Sequence, residues 1–289
     1  LLEPSLEFAR KDVADVYAYA KANGFTEPKL MPWDFSYWSE RYQEAEYALN
    51  EEQLKPYFQL ESCIDAVFSL ANRLYGITFH ELDNVPVYHE DVKVYEVKDA
   101  DDSHLALFYA DFFPRASKRG GAWMTEFRGQ SIRNGVEYRP FISTVMNFTK
   151  PSGDAPSLIT HSELTTFLHE FGHALHGILA QGRYGSLTGT GVSRDFVELP
   201  SQIMENWAFQ KEVLKEYARH YETGEVIPDS LVNKILAAET FNQGFMTTEL
   251  AAASILDLKW HMLDSVEGLD PMQFEADACR QMGLIDEII

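Results

Sequence analysis

Three of the nine histidines in the chain fall within one stretch at helical spacing: His169, His173 and His176, with Glu170 directly after the first. The run His169-Glu170-Phe171-Gly172-His173 is the H-E-x-x-H pattern, set in an apolar, helix-period segment rather than a loop. At 3.6 residues per turn the two imidazoles share a face one turn apart, where each can aim a ring nitrogen at one ion about 2.1 Å away. Glu170 then stands beside the ion and not on it. From there it can take a proton from water that the cation has acidified, which is the chemistry of metal-assisted hydrolysis.

A catalytic zinc usually keeps three protein ligands and one open position. His176 shares the face but lies seven residues from His169, about 10.5 Å along the axis, too far for all three to hold one ion. It is expected to pack, to support a ligand or to face substrate. The metzincin spacing fails, because it needs Gly at 176 and His at 179, where the chain has His176 and Leu179. Two glutamates remain, Glu198 and Glu205, seven residues apart and so on one helical face. One of the pair should bind metal, and the other could hold a ligand histidine through its free N–H.

These residues need helices to carry them. Helix period runs from Leu6 through Ala20 to a stop at Gly24, then through Tyr37, Tyr42 and Tyr47 with Asp34 as a cap, and from Leu54 to Leu74. Later helices are expected over 162–179, 195–221, 229–245, 248–264 and 271–282. Between them, Val92–Val97 and Leu105–Tyr109 read as a hairpin across Asp101-Asp102. Gly120–Met124 and Phe141–Met146 add strands, with a turn at Asn134-Gly135. The sheet should hold about four strands. Gly182, Gly185, Gly189 and Gly191 predict a long mobile loop before Glu198. The organisation expected is helical scaffold over 1–76, a small β-sheet region over 77–149 and a helical metal-binding region over 150–289. The fold class is mainly α with a small β insert.

Lys and Arg number 24 against 45 Asp and Glu, a net charge of −21, which argues against nucleic acid or an anionic membrane as partner. Cys63 and Cys279 form no framework, so free thiols and a cytoplasmic setting are expected. The opening Leu1-Leu2-Glu3 lacks a signal-peptide pattern, and the missing initiator Met suggests a piece of a longer protein.

Three motifs are specific enough to carry a resemblance. Met146-Asn147-Phe148-Thr149-Lys150-Pro151, then Thr166 through His176, then Arg194-Asp195-Phe196-Val197-Glu198-Leu199-Pro200-Ser201-Gln202 resemble the thimet oligopeptidase family of zinc metallopeptidases. Residues 193–198 and 239–245 look most like its bacterial peptidyl-dipeptidase (Dcp) branch. The resemblance implies a zincin-like helical core and one Zn2+ per chain held by His169, His173 and Glu198. It implies Glu170 as catalytic base, and leaves Glu205 and His176 as supporting candidates. It further implies short peptide substrates, with release of C-terminal dipeptides. Endopeptidase action of the oligopeptidase A kind is the alternative.

The family's chains are more than twice this length, and Gly283–Ile289 resembles the lead-in to a Gly-, Tyr- and His-rich segment that closes the active site. The 289 residues therefore read as a catalytic-domain fragment that works with the remaining parts of the full-length protein. A zinc-binding but catalytically impaired fragment is the reading from another class. Gly120, Gly121 and Ala122 are the substrate-binding candidates, since an edge strand there could pair with peptide backbone. Arg183, Tyr184 and Arg194 on the glycine-rich loop could meet a substrate carboxylate.

Overall fold

The computed structural model describes residues 1–48, 50–153 and 155–288; Ile289, the last residue of the lead-in stretch, lies outside them. Helices α1 (Leu2–Ala22) and α2 (Pro32–Tyr47) open the chain, followed by α3 (Glu51–Leu54) and α4 (Leu60–Tyr75). Strands β1 (Thr78–Glu81), β2 (Lys93–Lys98), β3 (His104–Asp111), β4 (Trp123–Arg128), β5 (Ser131–Arg133), β6 (Val136–Tyr138) and β7 (Phe141–Val145) come next. Helices return with α5 (His161–Ile178), α6 (Leu199–Glu205), α7 (Lys211–Tyr217), α8 (Asp229–Ala238), α9 (Gln243–His261) and α10 (Pro271–Met282). The fold is mainly helical with one small mixed sheet.

The chain divides into two compact units, Leu1–Leu49 with Asn233–Ile289, and Asn50–Val232. In the first, Ala9, Val16 and Ala20 of α1 form a buried cluster with Leu30, Phe35 and Phe245, which is the apolar stripe read from the sequence. Gly244 lets α9 touch α1, since a Cβ there would lie 2.4 Å from the Phe8 Cβ and 2.8 Å from the Ala9 nitrogen. One residue on, the Phe245 N–H donates to Asp12 Oδ2 at 3.0 Å, so α1 supplies the N-terminal cap of α9. That tertiary cap and Asn242 at φ 53 move the helix break to residues 239–242, four or more positions before the one expected from sequence.

The second unit is built on a five-stranded sheet in the order β1-β2-β3-β7-β4. All neighbours are antiparallel except β3 and β7. Four strands were expected; β1, a four-residue edge strand of Thr-Phe-His-Glu, is too short and polar to announce itself. Asn134 and Gly135, at φ 51 and 78, make the expected turn, but between β5 and β6, a separate two-stranded ribbon. Phe68 of α4 stacks on Phe79 of β1 with centroids 4.0 Å apart, and Phe171 of α5 meets Phe79 and Phe108 at 5.7 and 5.8 Å. Phe108 and Phe171 are fully buried, and burial of each contributes about 1.5–3 kcal/mol.

The single helix expected over 195–221 is three pieces: α6, a 3-10 turn over Asn206–Phe209, and α7. His161 Nε2 donates to the Ala208 carbonyl at 2.9 Å, taking that oxygen out of the helical ladder, and Gln210 is extended at ψ 116. Helix α3 and the turn Lys55–Tyr57 likewise stand apart from α4, because Gln59 is extended and bridges to Leu158. Both cysteines are unpaired and buried. Among the described residues no helix is long and apolar enough to cross a membrane.

Candidate metal centre

Helix α5 is fixed at both ends. Thr160 Oγ1 accepts the Glu163 N–H at 3.0 Å while Glu163 Oε2 accepts the Thr160 N–H at 2.8 Å, a reciprocal capping box. At the other end Arg139 donates to the Ile178 and Ala180 carbonyls at 2.8 and 3.1 Å and to Leu105 of β3 at 2.7 Å. A guanidinium there satisfies carbonyls the helix leaves open and sits well in its dipole. Between these anchors Phe167, Phe171, Ala174 and Ile178 are wholly buried, so the opposite face of α5 is the one that carries His169 and His173.

Helix α6 brings the carboxylates. Glu198, expected at the start of a helix, is the N-cap of α6, and its Oε2 lies 3.1 Å from His173 Nε2 and 3.3 Å from His169 Nε2. One ligand atom from each of these three residues falls within 4.8 Å of the others. A tetrahedral ion with bonds of about 2.1 Å needs ligand spacings of roughly 3.4 Å, so the set fits zinc in size and in donor type. Glu205 Oε1 meets His169 Nδ1 at 2.6 Å, which fixes the ring and leaves Nε2 bare toward Glu198. Ser201 Oγ is 2.9 Å from Glu198 Oε2 and from the Glu198 carbonyl.

Glu170 is buried, and burial with Glu198 nearby raises its carboxyl above the ordinary range against the pull of His169 and a backbone hydrogen bond from Met124. Burial likewise lowers His173 and His176. His176 stands apart from the cluster. Its ring faces Phe196 at 6.1 Å, and it lines a hollow of about 500 Å³ with Leu175, Leu187, Val192 and Ile203.

The Met124 contact puts β4 beside Glu170. Strand β4 pairs with β7 on one side, and the sheet order ends at β4. Gly120, Gly121 and Ala122, expected in this strand, precede it: Gly121 has φ 87, and Asn147 Nδ2 donates to the Arg119 and Gly121 carbonyls at 2.9 and 2.7 Å, holding the segment as a loop. Further back the same loop is held by a buried carboxylate. Asp111 receives Arg115 through two bonds of 2.9 Å, Lys118 at 3.0 Å and Tyr88 at 3.0 Å. Although burial opposes its charge, Arg115 and Lys118 hold Asp111 below the usual carboxylate range.

The glycine-rich loop, expected to be long and mobile, meets Gln130 at two points in its first half. Gln130 Oε1 accepts the Gly182 N–H at 2.9 Å, and the Gln130 carbonyl accepts the Thr188 hydroxyl at 2.8 Å. Arg183 lies over the exposed ring of Tyr184 at 5.6 Å, and Arg194 is exposed. Arg139 and Gln130 went unread in the sequence, since their partners are 39 and 52 residues away and no local pattern marks them; Ser201 was read only as part of a motif, without its bond to Glu198.

Residues 2–286 match the profile of peptidase family M3. The dipeptidyl carboxypeptidase of Salmonella typhimurium is 48% identical over 251 residues, covering 86% of this chain and 37% of that protein. The dipeptidyl carboxypeptidase of Escherichia coli is 46% identical over 249 residues, covering 86% of this chain and 36% of its own length. Oligopeptidase A of Escherichia coli is 38% identical over 253 residues, with 87% and 37% covered. The chain thus spans little more than a third of these curated relatives, whose names are those of the two branches its motifs resemble. With the match running over nearly all of its length, the chain belongs to peptidase family M3.

Proposed function

We propose that this chain carries the zinc site and the general base of a metallopeptidase that cleaves short peptides, releasing dipeptides from their C-termini. The observation that carries this reading is the meeting of His169, His173 and Glu198 ligand atoms within 4.8 Å, next to the buried Glu170. In this reading the fold is a zincin-like core, and His169, His173 and Glu198 hold one Zn2+. When bound, the ion supplies Lewis acidity toward water and toward the scissile carbonyl. Glu170 accepts the proton that water loses and passes it to the leaving amine, a task its buried position beside the ligand set suits. Glu205 holds the His169 ring, and the open edge of β4 pairs with substrate backbone, which makes sequence preference loose.

Peptidyl-dipeptidase action is preferred because the dipeptidyl carboxypeptidases are the more similar relatives at 46–48% identity, against 38% for oligopeptidase A. Oligopeptidase A-like cleavage inside peptides uses the same site. Since the relatives are much longer, closing the site over substrate is assigned to the remaining parts of the full-length protein, which we propose works in the cytoplasm. Metal analysis of the purified chain tests the site: one zinc per chain is expected, and none in His169→Ala. In the full-length protein Glu170→Gln should keep zinc and lose roughly 10²–10⁴-fold in kcat on a quenched peptide. Zinc unchanged by His169→Ala, or turnover unchanged by Glu170→Gln, would overturn the assignment.

A further inference from the structure

Between the two histidines of α5 sits a residue with no side chain. Glycine inside a helix costs about 1 kcal/mol relative to alanine, so Gly172 weakens the element that carries the site. Its surroundings show what it permits. A Cβ at Gly172 would lie 2.6 Å from the Pro200 carbonyl oxygen, 2.6 Å from Ser201 Cα and 3.0 Å from the Pro200 carbonyl carbon. These are backbone atoms of the first turn of α6, which cannot swing aside as a flexible side chain can. Ser201 is wholly buried in this contact, and its hydroxyl reaches the same Glu198 oxygen that faces both Nε2 atoms. The Glu198 side chain is otherwise half exposed, so little else defines where its carboxylate stands.

We infer that Gly172 is a positioning residue: by letting the Pro200-Ser201 backbone close onto α5 it sets the reach of Glu198 to His169 and His173, while Ser201 fixes which oxygen is presented. The consequence for metal binding rests on the zinc reading above; the positioning itself does not. Alanine at 172 must push the first turn of α6 outward, carrying Glu198 with it. The histidines, on the same helix as the substitution, keep their mutual spacing. Only the third ligand is displaced.

The test is zinc affinity of the full chain, read by competition with a chromophoric chelator, together with the structure of the metal-free variant. Gly172→Ala should weaken zinc roughly tenfold to a hundredfold, as loss of a supporting contact around a metal typically does. On a Glu198→Ala background the same substitution should add almost nothing, because the group through which it acts is gone. An equal further loss there would overturn the inference, since Gly172 would then act through the histidines or the fold at large. In metal-free crystals of Gly172→Ala, Glu198 Oε2 should stand beyond hydrogen-bond reach of both Nε2 atoms; unchanged contacts of 3.1 and 3.3 Å would also overturn it. That arm decides the positioning even if the parent chain takes up no zinc, an outcome that sinks the metal reading alone. Should Gly172→Ala not fold, Ser201→Ala leaves the helix approach intact and should still weaken zinc several-fold on the parent but not on Glu198→Ala. Parent-like affinity in Ser201→Ala would refute the role given to that hydroxyl.

Discussion

Two helix pairs in this molecule rely on a glycine at the point of contact, and they use it differently. At Gly172 the neighbour is the backbone of Pro200 and Ser201; at Gly244 it is the backbone of Phe8 and Ala9, and both spaces are too small for a methyl group. Around Gly244 the contact closes over the stacked rings of Phe35 and Phe245, 4.0 Å apart, and the one polar bond, from Phe245 N–H to Asp12, completes a helix end. Around Gly172 the same closeness is lined by His169, His173, Glu198 and Glu205, groups that gain nothing for packing by being crowded together. The first device stabilises a core. The second draws two carboxylates and two imidazoles together, a grouping that packing alone does not call for. The difference separates scaffold from site more sharply than burial does.

That contrast can be broken by substitution. The largest effect expected is at the site: Glu205→Ala frees the His169 ring and should weaken zinc roughly 10–100-fold, with the unfolding midpoint of the metal-free chain little changed. Chelator competition and a urea titration read the two quantities separately. A midpoint that falls while zinc affinity stays would assign Glu205 to the scaffold. Next in size, Gly244→Ala should cost about 1–3 kcal/mol of stability through overpacking against α1, leaving zinc affinity as it was. If zinc weakened instead, the two glycines would not be doing different jobs.

The smallest effect expected is in the acid range and concerns His161, which joins α5 to the turn at Ala208. Burial lowers its imidazole below the ordinary value of 6.5. The unfolded chain therefore binds this proton more readily than the folded one. Stability from this group is complete above that value and drains away as pH falls through the depressed folded value. His161→Phe should flatten the decline of the urea midpoint between about pH 8 and about pH 5, by a fraction of the slope the parent shows. Parallel curves for parent and variant would place the acid sensitivity elsewhere.

How far the sequence alone reaches depends on whether the cause is local. The period of α5 and the strand character of β2 and β3 depend on neighbours in the chain, and they stand where residues 162–179, 92–97 and 105–109 were expected, within two residues. Proximity of Glu198 to the histidines could be read because a motif names it. The breaks could not. Helix α7 is separated from α6 by a bond from His161, 47 residues away, and α9 starts early because Asp12, 233 residues away, caps it. The Gly120–Ala122 segment looks extended in composition, yet two bonds from Asn147 make it a loop. Gly172 was visible inside the motif, but a helical glycine shows its purpose only once the chain on the other side of the contact is in view.

The first unit is assembled from two separated stretches of the chain, with the whole of Asn50–Val232 made in between. Synthesis proceeds at roughly 5–20 residues per second, so the α1 stripe of Ala9, Val16 and Ala20 waits on the order of ten seconds or longer before α9 emerges to cover it. The intervening unit has its own core and can collapse during that interval, while the α1 stripe still lacks its α9 partner. Yield of the folded protein in a cell should therefore follow the supply of chaperones that bind nascent chains, and a circular permutant joining α10 to α1 and opening the chain near residue 49 should loosen that dependence.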